Sequence, residues 1–171
     1  MFLSVFDIFK VGVGPSSSHT MGPMVAATRF LDKLRASHFT AHGLRCTLYG
    51  SLAFTGKGHA TDRAVILGLA GFRPDRFDNV AAETALAAIK KDHVIEAPGL
   101  GRLAFHPGRD MQFNFEKPLP GHANGMVLHA LDGSGDVILQ ETYYSVGGGF
   151  VLTEAELKSD AGLQVPTDVP Y

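Results

Sequence analysis

Gly125-Met126-Val127-Leu128-His129-Ala130-Leu131-Asp132-Gly133-Ser134-Gly135-Asp136-Val137-Ile138-Leu139-Gln140-Glu141-Thr142-Tyr143-Tyr144-Ser145-Val146 decides the fold class. Two strand-like runs, 125–131 and 136–146, flank a turn of Asp, Gly and Ser, so they are expected to pair as an antiparallel hairpin. Downstream, Gly147-Gly148-Gly149 breaks the second strand before Phe150-Val151-Leu152, the pattern of a strand ending in a bulge. Upstream, Met111, Phe113 and Phe115 alternate with Gln112 and Asn114, a further strand. The first half reads differently. Met24, Ala27, Leu31 and Leu34 fall at i, i+3, i+7 and i+10, which predicts a helix from about residue 18 or 19 to 35, with Pro23 in its first turns. Leu44, Cys46 and Leu48 alternate with Arg45, Thr47 and Tyr49, a half-buried strand. Helices are expected over about 61–70, closed by Gly71, and over about 80–91, with Asn79 as N-cap and Ala82, Ala85, Leu86 and Ile89 facing inward. Residues 3–10 suit a short helix or a strand equally. Helices and sheet in partly separate blocks give an α+β fold, an antiparallel or mixed sheet with helices packed on it.

Composition narrows the partners. The chain has 171 residues, 45% hydrophobic and 19% charged, the profile of one globular domain. A formal net charge of −2 gives no electrostatic footprint for nucleic acid or an anionic membrane. The apolar start, Met1 to Phe6, meets Asp7 and Lys10 too soon for a signal-peptide core, and no run approaches the ~18 apolar residues of a membrane span. A cytoplasmic protein is expected. Cys46 is the single cysteine, so an internal disulfide and an all-cysteine metal site are both excluded. The tail 164–171, with Pro166 and Pro170, reads as linker.

Four loops carry the chemistry. Gly14-Pro15-Ser16-Ser17-Ser18-His19-Thr20 crowds hydroxyls and an imidazole at a predicted helix start, where unpaired N–H groups and the helix dipole favour a carboxylate or phosphate. One capping serine would satisfy a structural role; this many polar side chains suggest a ligand. The Gly12-x-Gly14 spacing is not a dinucleotide fingerprint, because Ser17 stands at the third glycine and Pro15 intrudes. Thr55-Gly56-Lys57-Gly58-His59 is not a phosphate loop either: the spacing from Gly50 is one residue too long, and Gly58 replaces the metal-binding hydroxyl. It leaves Lys57 and His59 on a turn before a helix. Gly121-His122-Ala123-Asn124-Gly125 is explained as a turn except for His122. The glycines of 147–149 permit close backbone approach to a ligand or partner. His19, His59 and His122 could in principle share Zn²⁺, yet they lack ligand spacing within one helix and an accompanying carboxylate, so no metal site is expected in this chain. His38, His42, His93, His106 and His129 read as surface or structural.

In order along the chain, Ser4-Val5-Phe6-Asp7-Ile8-Phe9-Lys10, Gly12-x-Gly14-Pro15-Ser16-Ser17-Ser18-His19-Thr20-Met21-Gly22-Pro23, Tyr49-Gly50-Ser51-Leu52-Ala53-x-Thr55-Gly56-Lys57-Gly58-His59 and Tyr143-Tyr144-Ser145-Val146-Gly147-Gly148-Gly149-Phe150 resemble the N-terminal, or β, domain of the iron–sulfur-dependent bacterial L-serine dehydratases. His122-Ala123-Asn124-Gly125-Met126 resembles a further block usually written with proline after the histidine. The resemblance implies deamination of L-serine to pyruvate and ammonia, with a [4Fe–4S] cluster whose iron acts as Lewis acid on the substrate hydroxyl. It places the cluster's cysteines in a C-terminal α domain or α chain, so Cys46 alone holds no cluster and none is expected bound here. It implies a fold similar to the allosteric substrate-binding domain of D-3-phosphoglycerate dehydrogenase. It also suggests a β domain over 1–160, the start of a linker at 161–171, a homo-oligomer, and no activity for this chain alone. The site residues it suggests are Ser16, Ser17, Ser18, His19, Thr20 and Asn124 for substrate, with His59, His19, Lys57 and His122 as the acid–base groups. His59 is the first choice of base and His19 its rival. A non-catalytic amino-acid or anion-binding module is the alternative.

Overall fold

The computed structural model describes residues 17–56 and 60–163; the expectations for 3–10, Ser16, Lys57, Gly58, His59 and the 164–171 tail lie outside the described residues. Ser17–Met21 makes one π-helical turn that runs directly into helix α1 (Gly22–Ala36). Strand β1 (Gly43–Tyr49) passes straight into the short helix α2 (Gly50–Gly56). Then follow α3 (Thr61–Leu69), α4 (Asn79–Asp92), β2 (Val94–Ala97), β3 (Gly101–Ala104), the single turn α5 (Pro107–Asp110) and β4 (Met111–Asn114). Strands β5 (Gly125–Leu131), β6 (Val137–Gly147) and β7 (Phe150–Thr153) precede helix α6 (Glu154–Leu163).

The strands form one seven-stranded sheet in the order β2-β3-β1-β5-β6-β7, with β4 also paired to β1. Both β3 and β4 run parallel to β1 along the same edge: Gly43 faces Ala104, and Cys46 to Tyr49 face Met111 to Asn114. α5 fills the interruption between them. Every other pairing is antiparallel, so the sheet is mixed and the fold is α+β. The 125–147 hairpin forms as its turn residues demand, and the register slips between Ser145 and Gly147, the bulge expected before the triple glycine.

Core packing follows the periodicities. Met24, Ala27, Leu31 and Leu34 are all sealed from solvent, together with Phe30 between them. Ala27, Phe30, Leu31 and Leu34 meet Leu44, Cys46 and Leu48 of β1 and Met126, Leu128 and Ala130 of β5, the residues that alternation places on one sheet face, while Met24 packs with Ala64 and Leu67 of α3 and Ala82 of α4. Arg29 of α1 donates to the Val151 carbonyl and forms a forked pair with Glu156, which fastens β7 and α6 to the central helix. Lys33 pairs with Glu141 of β6.

The structure departs from the sequence expectations in local detail. Gly50 to Gly56 is a helix, so Thr55 and Gly56 end a helix instead of belonging to the expected 55–59 loop; seven residues with a glycine at each end are too few to show a helical period. The N-cap of α4 is Asp78, not Asn79: its Oδ1 accepts from the N–H groups of Val80 and Ala81 at 2.8 and 3.1 Å. The β2–β3 hairpin and helix α6 were not anticipated, because four-residue strands barely alternate and α6 carries little amphipathic pattern.

Close packing of α1 on α3 depends on Gly68. A Cβ there would lie 2.6 Å from the Met24 carbonyl oxygen and 2.7 Å from the Ala27 Cβ. Gly68→Ala should therefore push the two helices apart and cost about 1–3 kcal/mol, measured by urea denaturation at constant m.

Candidate active site

The C-terminal ends of β1 and β6 and the N-terminal end of β5 lie at one end of the sheet, as Leu48 pairs with Met126 and Met126 with Tyr143. Loops distant in sequence meet there. His19, in the π-helical turn, places Nε2 2.9 Å from Ser51 Oγ of α2 and Nδ1 2.8 Å from Ser18 Oγ. The N–H of Ser51 donates to the Ala123 carbonyl at 2.9 Å. Asn124 then closes on β6: its Nδ2 donates to the Ser145 carbonyl at 3.2 Å, and the Ser145 N–H donates to the Asn124 carbonyl at 2.9 Å. A continuous hydrogen-bonded path runs from Ser18 to Ser145.

The local backbone explains why these side chains meet. Gly50 turns the strand into α2 with φ of +55°, and a Cβ there would stand 2.4 Å from the Ala123 carbonyl oxygen. Only a residue without Cβ lets the 121–125 loop lie against this turn. Thr61, at the start of α3, is fully buried and its hydroxyl donates to the His19 carbonyl at 2.5 Å. Lys57, Gly58 and His59 lie outside the described residues, but the chain on either side is fixed. Gly56 packs against Leu48 and Phe113 on one side, and Thr61 is tied to His19 on the other.

Burial holds the His19 pKa below its usual value, because the charged imidazolium loses solvation there. His19 is therefore neutral at pH 7, one ring nitrogen donating and the other accepting, and serine hydroxyls can complement either tautomer. His122 differs. Its Nδ1 accepts from the Asn124 N–H at 3.0 Å, which in the neutral ring leaves the proton on Nε2. Its outward nitrogen is a donor.

Two hydroxyls nearby are buried without a hydrogen-bond partner, Thr20 Oγ1 and Ser145 Oγ. Leaving a buried hydroxyl unpaired costs about 1–3 kcal/mol, so the pair marks unused polar capacity beside the path. Ser51 and Ser145 were absent from the candidate residues drawn from sequence. Both sit inside quoted motifs, and the missing signal was the helical conformation of Gly50–Gly56, which turns Ser51 toward His19. Among the described residues no His/Cys/Asp/Glu cluster could hold a metal ion. Cys46 is fully buried in β1, where desolvation drives its thiol pKa far upward and keeps it protonated. A cavity of about 270 Å³, lined by Phe72, Ile89, Asp92, Val94, Glu96 and Arg102 among others, involves none of these loops. No helix among the described residues is long and apolar enough to cross a membrane.

Comparison with known proteins gives the family. Residues 4–156 match the family model described as serine dehydratase beta chain. The chain belongs to the serine dehydratase beta chain family. It is 46% identical over 162 residues to the L-serine dehydratase of Streptomyces coelicolor, covering 94% of this chain and 36% of that protein. It is 43% identical over 154 residues to the Helicobacter pylori L-serine dehydratase, covering 90% of the chain and 34% of the relative. For the Mycobacterium tuberculosis L-serine dehydratase the identity is 44% over 173 residues, 100% of the chain and 37% of the relative. The chain thus spans about a third of the length of these relatives.

Proposed function

We propose that this chain is the β portion of an L-serine dehydratase, which binds L-serine and supplies acid–base groups while a cysteine-bearing α partner supplies the cluster. The observation that carries this reading is the joining of four of the quoted motifs through His19–Ser51, Ser51–Ala123 and Asn124–Ser145, within a chain of the serine dehydratase beta chain family. The hydroxyls and N–H groups of the π-helical turn suit the substrate carboxylate. The Nε2–H of His122 suits orientation of an acceptor atom or delivery of a proton. Both ring nitrogens of His19 are engaged by serines, so His19 would exchange protons through a hydroxyl. This leaves His59 as the direct base for the Cα proton, with Lys57 beside it as an orienting charge.

The residues of this chain do not fit an iron–sulfur cluster, since a lone, buried, protonated cysteine is no ligand set, and the cluster belongs with the α partner. The test is anaerobic reconstitution of the chain with a cysteine-bearing α chain of an L-serine dehydratase, iron and sulfide, followed by pyruvate formation from L-serine. His59→Ala should lose about 10²–10⁴-fold in rate. Full activity in that variant removes His59 as base, and turnover by this chain without the α partner overturns the division of labour.

A further inference from the structure

Four of the large hydrophobics exposed among the described residues, Phe54, Phe115, Val146 and Phe150, lie beside the candidate site. Phe54 is 68% exposed and Phe115 50% exposed, and their rings meet at 5.3 Å between centroids with a 60° tilt. Phe113 stacks behind Phe115 at 6.3 Å. Phe54 follows Ser51 by three residues on α2, so the two share one helix face. Leu52 and Ala53 between them are fully buried. The ring therefore flanks the serine that holds His19. On the other flank, Val146 and Phe150 are exposed at the β6–β7 turn, Phe150 by 71%. That turn touches the π-helical turn, since a Cβ on Gly149 would lie 3.5 Å from Met21 Cε. Of the other large exposed hydrophobics among the described residues, Phe39 precedes β1 and Val137 begins β6, both at the opposite end of the sheet, and Val80 lies on α4.

Contiguous apolar exposure rimmed by polar groups marks an interaction surface. The α2 face does not need its phenyl ring to fold, because Leu52 and Ala53 already anchor the helix. The occupant follows from length: the chain spans about a third of its relatives, and its family is named as a beta chain. We propose that Phe54 and Phe115 are the central anchors, and Phe150 a flanking contact, of the surface on which the cysteine-bearing α partner docks. This rests on the proposed function. Docking there covers the His19–Ser51 pair, excludes water from it and brings the partner's cluster over the substrate groups. Aromatic residues at the centre of an interface carry a disproportionate share of binding energy.

The test measures binding of this chain to a separately produced, cluster-loaded α chain of an L-serine dehydratase by anaerobic calorimetry, with pyruvate formation in the same mixtures. F54S/F115S should weaken binding at least tenfold, while saturating α chain restores the wild-type kcat, because the rings touch the partner and not the substrate. Val137→Ser, at the opposite end of the sheet, should change neither quantity. If F54S/F115S binds as tightly as wild type in an active mixture, the surface is wrong and the functional reading stands. If wild type neither binds nor forms pyruvate, the functional reading fails and the surface falls with it. If sedimentation shows a self-associated wild type that F54S/F115S dissociates, with α-chain affinity unchanged, the occupant is a second copy and the proposal is overturned. Circular dichroism checks the fold of the double variant, and F54S alone, which removes a ring with little packing, decides the matter if the double variant is disturbed.

Discussion

Gly50→Ala should destabilise this protein by about 2–5 kcal/mol, the largest loss expected from any single methyl group here. Two costs combine. An alanine held at φ of +55° pays about 1–2 kcal/mol for the left-handed conformation. Its Cβ would then approach the Ala123 carbonyl oxygen to 2.4 Å, a contact with backbone that cannot rotate away, worth a further ~1–3 kcal/mol as the loop moves off. Relief of that clash breaks the Ser51 N–H to Ala123 hydrogen bond, which joins the 49–59 and 122–126 motifs. The variant should therefore unfold at lower urea concentration, and the fraction that remains folded should have lost activity beyond its loss of stability. A Gly50→Ala protein with unchanged midpoint would show that the 121–125 loop yields freely, and the path from His19 to Ser145 would not be rigid.

The second large effect is chemical. His19→Ala should lower the pyruvate-forming rate of the reconstituted enzyme by about 10²–10⁴-fold, whereas Ser51→Ala, which leaves the imidazole in place, should cost less. The pH dependence carries the more specific signature. Burial lowers the folded-state pKa of His19 below the ordinary value of 6.5. As pH falls the unfolded chain takes up its proton first, so the stability linked to neutral His19 is fully present above about pH 6.5. It is lost as pH drops through the lower, folded value. Urea melts between pH 7 and 5 should show wild type losing more stability than His19→Asn. Equal losses would mean that burial of this imidazole has no energetic consequence.

The elements most legible in the sequence were those long enough to show a period. The α1 stripe and the 125–147 hairpin formed as read, because an i, i+3, i+7 pattern and a strand alternation each have one efficient way to bury their apolar residues. Gly50–Gly56 was invisible for the opposite reason. A helix of less than two turns has no stripe to repeat, and it exists because β1 ends against the 121–125 loop. The cap of α4 shows the same limit on a smaller scale, since Asp78 and Asn79 are both good capping residues and only the position of the first helical turn chooses between them.

The chain carries in its residue types the α+β class, the inward faces of its main helix and strands, and a set of hydroxyl, imidazole and amide groups gathered in a few motifs. These are local properties, written in period and in side-chain chemistry. Which of those groups touch was settled by non-local contacts. His19 meets Ser51 because the π-helical turn packs beside α2, and Ser51 reaches Ala123 because Gly50 has no side chain to keep the loop away. Such contacts join residues 32 positions apart or more, and no spacing rule along a chain reports a distance across a sheet.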